Sequence, residues 1–338
     1  MYLLHLRRAL WIAALFAIAG CAGMTSQSLS PSSQVPATGA AHSAGELAVV
    51  HRGVPFMPAI SRVALRSSVR ANYATRKSLV FEGDQEEASV NIYQTKALAS
   101  NPAPIASIKV AAGCPYGLAA DKKGTLYVAD NCTGNDVEEY AKGSTTLKTK
   151  ITDGISNPLG LAIDKSQTLY VSNYPAAITE YAFGTSSPSK TISGSPMIDP
   201  FGLAVDASGN LYIADFGASQ VFELPAGGSS VTALNLQDLV EPVAVAIDQK
   251  TGFLWVTDGE GNKINVYKLG STSPVETIGG HGSPYAISLE NAGKPKGEVV
   301  ESDLGTDDVY AYKKGSYTSY ATLSNGIELP TGLLVAKP

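Results

Sequence analysis

A proline-led motif returning every 42 to 46 residues, short runs of strand-forming residues at fixed places after it, and no amphipathic helix of useful length predict an all-β fold. The predicted architecture is a six-bladed β-propeller of four-stranded antiparallel blades, its ring closed by a C-terminal strand joining the N-terminal blade. The motif begins at Pro115, Pro158, Pro200, Pro242, Pro284 and, in eroded form, Pro330. Its clearest copies read PYGLAAD (115–121), PLGLAID (158–164) and PFGLAVD (200–206). A period near 42 is the length of one propeller blade.

The remaining strands of each blade follow in order. After the motif's Asp comes a polar turn such as Ala207-Ser208-Gly209, then a second strand: LYVAD (126–130), LYVSN (169–173), LYIAD (211–215), LWVTD (254–258) and VVESD (299–303). A third strand ends in VEEY (137–140), ITEY (178–181), VFEL (221–224), INVY (264–267) or VYAY (309–312). A fourth apolar segment completes the blade, as in KTI (190–192) and ETI (276–278). Val, Ile, Leu and Tyr fit a pleated, half-buried surface, and Gly, Asp, Ser and Pro supply the turns. The array opens in mid-blade with LVFEG (79–83), VNIY (90–93) and PIASIK (104–109), and the missing inner strand stands at the C-terminus as GLLV (332–335). Completing one blade from both chain ends leaves no open sheet edge.

Composition excludes several classes. At 44% hydrophobic and a net charge of −5, the chain is too apolar to be disordered, and three Cys are too few for a disulfide scaffold. The mild net charge averages unlike parts: residues 1–77 are basic, and the propeller, 78–338, carries −12. An acidic propeller argues against a nucleic-acid partner.

The N-terminus reads as an export signal over residues 1–20: Arg7 and Arg8, the uncharged run 9–20, then small residues. Ile18-Ala19-Gly20-Cys21 resembles the lipobox of bacterial lipoproteins. The resemblance implies cleavage before Cys21, lipidation of Cys21 and a membrane anchor in the bacterial cell envelope. Ala22 then favours the outer membrane in a two-membrane host. Residues 21–77 read as the lipidated Cys followed by a flexible linker, uncharged over 22–45 and basic over 46–77.

The repeat P-x-G-L-A-[VI]-D followed by G-x-L-Y-[VI]-A-D and V-x-x-Y resembles the NHL-repeat family of six-bladed propellers. The resemblance covers about three quarters of the chain and implies fold, not activity. The gluconolactonase-like propellers carry metal ligands at the x of some P-x-G-L motifs. Here those positions are Tyr116, Leu159, Phe201, Val243, Tyr285 and Thr331, so that metal site is not carried over.

The hairpin register places Cys114 opposite Cys132, within disulfide reach. The same register gathers candidate ligand-binding residues at one mouth of the central channel: Tyr116, Phe201 and Tyr285 as an apolar funnel, and Asn173, Asp215, Asp258 and Asp303 as its collar. The bland alternative is that the aromatics pack the channel and the collar side chains cap turns. His281, in the loop GGHG (279–282), is the one candidate general base, and reads more simply as an exposed loop residue. Of four His, only His281 falls in the propeller, so a multi-His metal site is excluded there and no cofactor is expected. Asp258-Gly-Glu260-Gly-Asn262 and the stretch Asp303 to Asp308 offer oxygen ligands for Ca²⁺, without the spacing of a known calcium loop.

The function expected from these features is a membrane-tethered, extracytoplasmic, non-catalytic binding module for a protein, peptide or glycan. The alternative is a propeller enzyme, a lyase or hydrolase, acting at the channel mouth. Catalysis is left open, with the weak constellation weighing against it.

Overall fold

The computed structural model describes Tyr73 and residues 78–110, 113–132, 134–290, 298–313 and 315–337. The predicted signal, Cys21 and nearly all of the predicted linker lie outside the described residues. Six four-stranded antiparallel sheets form the predicted ring of blades. The inner strands are Pro115–Ala120, Pro158–Ile163, Pro200–Val205, Pro242–Ile247, Pro284–Leu289 and Pro330–Ala336. The last of these pairs with Leu79–Asp84, in a register that sets Leu79 against Ala336 and Phe81 against Leu334. Blade closure from both chain ends is therefore as predicted. One local element was not foreseen: a 3-10 turn, Thr95–Ser100, inserts between the third and fourth strands of this blade and buries Leu98.

Burial explains the strand sequences. The second strands lie deepest, and Leu126–Asp130, Leu169–Asn173 and Leu211–Asp215 are buried at every position. Strands covered on both faces read as unbroken apolar runs rather than as alternation. The fourth strands lie outermost and are mostly exposed, as in Leu147–Ile151. Six apolar clusters, one between each pair of neighbouring blades, make up the core. Tyr73, from the end of the predicted linker, joins one of them. Its ring meets Phe81 edge-on at 6.0 Å and its hydroxyl donates to the Ser144 carbonyl at 2.9 Å.

Each motif residue has a physical task. The motif Asp closes the turn between the first two strands: Asp206 Oδ1 accepts from the Ser208 and Asn210 N–H groups at 2.8 Å, and Asp121 does the same for Lys123 and Thr125. The motif Gly lets inner strands crowd around the channel. A Cβ on Gly117 would stand 2.5 Å from the Leu159 carbonyl oxygen of the next blade. The pairing slips at the x-G step, between Pro115 and Leu118 for example, and such bulges re-aim side chains. The Tyr closing the third strand reaches to the chain entering its own blade. Tyr181 donates to the Asp153 carbonyl at 2.7 Å and Tyr267 to the Gln237 carbonyl at 2.6 Å.

Candidate functional site

The bulged start of each inner strand aims residue x of the motif at the channel. Tyr116, Phe201 and Tyr285 meet there, with ring centroids 5.4 Å apart for Phe201–Tyr285, 6.1 Å for Tyr116–Phe201 and 6.5 Å for Tyr116–Tyr285. The first two contacts are edge-to-face, an attractive arrangement for aromatic quadrupoles. Leu159, Cys114 and Tyr174 pack against the same group. Burial pushes the Tyr116 phenol up, partly offset by hydrogen bonds with Gln85 and Tyr285, and it pushes the Tyr285 phenol up still further. The rings plug the channel. Beneath them lies a cavity of about 60 Å³, lined by inner-strand residues such as Gly117, Leu161, Ala244 and Thr331. That is room for a few waters. Sites that enclose a small organic ligand run to roughly 300–1,000 Å³. Among the described residues that line the cavity there is no His, Asp, Glu, Lys or Arg.

The collar residues lie at the ends of the second strands, as expected, and all are buried. Asp215 accepts from the N–H groups of Ile198 (2.9 Å), Asp199 (2.9 Å) and Ala218 (3.0 Å). Asp258 accepts from Val240 (3.0 Å), Glu241 (2.7 Å) and Gly261 (3.2 Å). Asp303 accepts from Gly282, Ser283, Gly305 and Thr306. Asn173 Oδ1 takes the Ser156 N–H at 2.8 Å, while its amide donates to Thr179. In each case the side chain ties the loop before the inner strand to the second strand. Cys114 and Cys132 form a disulfide across the same pair of elements, with Cα atoms 5.3 Å apart, as the hairpin register predicted. The Ca²⁺ reading of the two acidic stretches rests on Asp258 and Asp303. The backbone N–H groups around these carboxylates point donors at them, whereas Ca²⁺ sites are built with carbonyl oxygens and several carboxylates.

His281 departs from the simpler expectation. It is not an exposed loop residue: its side chain is 5% exposed. Nδ1 lies 3.3 Å from Glu301 Oε2 and 3.5 Å from Asp303 Oδ2, both on fully buried side chains. Nε2 is 3.2 Å from the Tyr312 hydroxyl, and the ring meets Tyr310 edge-on at 5.5 Å. His281 thus stands where the blades of Tyr181 and Tyr267 use a backbone carbonyl. Burial and the neighbouring Asp303 charge hold the Glu301 carboxyl well above the usual carboxylate range. Asp303 is pushed up by burial, but the His281 ring and the backbone N–H groups outweigh this and leave it below that range. The cluster is enclosed by residues of its own blade, and none of its members lines the channel cavity.

Apart from Cys114, the residue before each motif proline was missed by the sequence reading. At two blades it brings acid to the rim of the mouth, as Asp199 and Glu241. Glu241 lies near Glu260 and Asp258, and burial first, then these charges, push its carboxyl up to about 7. Its charge also acts on Tyr285. Exposed apolar side chains stand just before these acids, Ile198 at 51% and Val240 at 50% exposure. The signal was available in the sequence, since the pairs Ile198-Asp199 and Val240-Glu241 occupy the same repeat position.

No family model and no curated protein matches the chain. Solved structures do. A chain from a nidogen/laminin complex matches with a TM-score of 0.66 at 16% identity, over 77% of this chain and 98% of that one. A protein of unknown function from Bacteroides caccae matches with a TM-score of 0.60 at 12% identity, over 78% and 100%. Streptogramin B lyase matches with a TM-score of 0.51 at 12% identity, over 74% of each chain. At these identities the likeness is one of fold, and with the six closed blades it makes this chain a β-propeller.

Proposed function

We propose that the chain is an NHL-type propeller, lipid-tethered at Cys21 outside the cytoplasm, that serves as a non-catalytic binding module for a protein, peptide or glycan. The observation that carries this reading is the channel mouth itself. An aromatic plug over a cavity of about 60 Å³ leaves no chamber for a small substrate, and the lining offers no acid–base pair. Recognition then falls to the rim, where exposed Ile198 and Val240 stand beside Asp199 and Glu241. Apolar anchors bordered by charge suit a partner surface. The lipobox and the uncharged spacer support the tether and the location. The enzyme alternative requires His281 to face a substrate in the channel, whereas its ring is buried against two acids of its own blade and lines no part of the cavity.

Site-specific photo-crosslinking in cells tests the reading. A crosslinker at position 198 or 240 is expected to trap a discrete partner. One at Ser208, in the turn at the opposite end of the same blade, is expected to trap none. Equal trapping at both ends, or none at either, refutes the assignment of the mouth rim as the docking face.

A further inference from the structure

The buried polar cluster at the Pro284 blade is unlike its counterparts elsewhere in the ring. The blade that begins at Pro115 has three carboxylates gathered at the corresponding place, Asp130, Asp136 and Glu138. There Lys150 supplies the cation, with Nζ 2.8 Å from Asp136 Oδ2 and 3.0 Å from Glu138 Oε1. In the closing blade Glu82 stands at the repeat position of Glu301, and the Asn91 amide donates to it at 3.1 Å. Among the described residues Glu301 has neither a lysine nor an amide. Its side chain is fully buried, and neither oxygen has a hydrogen-bond partner among them. His281 Nδ1, aimed between it and Asp303, makes no well-aligned hydrogen bond to either among the described residues. Buried polar atoms left in this way keep their full desolvation cost, which is larger for charged groups.

The spacing of these atoms identifies what would satisfy them. Nδ1 to Oε2 is 3.3 Å and Nδ1 to Oδ2 is 3.5 Å, and all three ligand atoms lie within 4.8 Å of one another. Zn²⁺ binds imidazole nitrogen and carboxylate oxygen at about 2.0–2.2 Å in a tetrahedron, whose edges are then about 3.3–3.5 Å. The second shell is in place as well. With Nδ1 given to a metal, Nε2–H faces the Tyr312 hydroxyl at 3.2 Å, the kind of partner that fixes a ligating His. Asp303 is held by four backbone N–H groups, three on Oδ1 and that of Gly282 on Oδ2, which fix the carboxylate and leave Oδ2 a second lone pair toward the cluster. Gly280 and Gly282, both exposed, flank His281 and leave a route in from solvent.

We propose that His281 Nδ1, Glu301 Oε2 and Asp303 Oδ2 form a site for one divalent transition-metal cation of the Zn²⁺ class, with water as the fourth ligand. The ion pins the loop 279–283 to the second strand of its blade, as Lys150 ties together the carboxylates of the Pro115 blade. The inference is independent of the binding-module reading, because the site faces neither the channel nor the rim pair Ile198 and Val240.

The test is equilibrium dialysis of the full-length protein, stripped with chelator, against Zn²⁺ alone. His5, His42, His51 and Cys21 lie outside the described residues and can also take up metal, so the readout is the difference between wild type and variant. Glu301→Gln is isosteric, so it keeps the packing while removing the carboxylate a metal would need. Wild type is expected to bind one ion per chain more than Glu301→Gln or His281→Gln, or to bind that ion at least tenfold more tightly. Zn²⁺ is expected to raise the melting temperature of wild type and not of Glu301→Gln. Co²⁺ is expected to give wild type the intense visible bands of a tetrahedral site, absent from the variants. Equal stoichiometry and affinity in wild type and Glu301→Gln, or a Co²⁺ spectrum unchanged by that substitution, overturns the proposal.

Discussion

Replacing Asp215 by Ala separates two roles that a buried carboxylate at a channel mouth can have. The side chain is fully buried and accepts three backbone N–H groups at 2.9 to 3.0 Å, from Ile198, Asp199 and Ala218. Hydrogen bonds to a charged acceptor contribute about 1.5–3 kcal/mol each, and they do not add fully. Exposed Ile198 marks the edge of the loop, so water recovers part of the loss there. The net cost is then about 3–5 kcal/mol, close to that of removing one partner of a buried charged pair. In a domain of this size each kcal/mol lowers the melting temperature by roughly 2–4 °C, so the drop is expected to be about 6–20 °C. Asp215→Asn keeps one acceptor oxygen and is expected to lose roughly half as much. Thermal unfolding followed by near-UV circular dichroism reads both variants. If Asp215→Ala melts within about 2 °C of wild type while crosslinking at position 198 is lost, the carboxylate serves a ligand and the loop-tying argument is wrong.

Three further outcomes are expected. Removing the disulfide by Cys114→Ser with Cys132→Ser opens a loop spanned by a sequence separation of 18, and costs about 3 kcal/mol in the loop-entropy account. Wild type in strong reductant should then melt with the double variant, and a gap between them in reductant contradicts the assignment. Glu241 is raised from 4.5 to about 7, so the folded state holds the proton more tightly than the unfolded one. Its contribution to stability is full below about pH 4.5 and is lost as pH rises toward 7. Glu241→Gln should therefore flatten the fall of melting temperature over that window, and an unchanged slope refutes the assignment. Cys21→Ala should move the protein out of the membrane fraction of cells, and retention there rejects the lipid tether.

Much of the fold was legible because a repeat states each element six times. The motif Pro fixes where an inner strand begins, the motif Asp where its turn closes, and the chain ends supply complementary parts of one blade. The cysteine pair was legible for the same reason, since a known hairpin turn fixes which residues face each other. The site was legible only as a place. Tyr116, Phe201 and Tyr285 fall at one mouth by register alone, but the sequence does not tell whether rings around a channel leave it open or meet across it. Nor does an Asp at a strand end reveal whether its oxygens turn to a ligand or to a backbone N–H. Asp215, Asp258 and Asp303 all turn to the backbone. His281 shows the limit most clearly. Flanking glycines make it look like a solvent-facing loop residue, while the acids that bury it stand in a strand about 20 residues further on. The 3-10 turn at Thr95–Ser100 went unseen because it carries no periodic signal beyond one buried Leu.

The closing pairing of Leu79–Asp84 with Pro330–Ala336 sets a clock on assembly. The first strand is made about 250 residues before its inner partner. A chain that emerges N-terminus first, from the ribosome or across a membrane, leaves this strand waiting for nearly all of the rest. For that interval a buried-type apolar strand has one bare flank, the condition under which strands pair with the wrong neighbour. The five repeat blades can each form as their own residues arrive, but the ring cannot lock until the last few are in hand. Crowded or slowed emergence should therefore penalise this chain at its first strand, and a helper that shields residues 79–84 should rescue it.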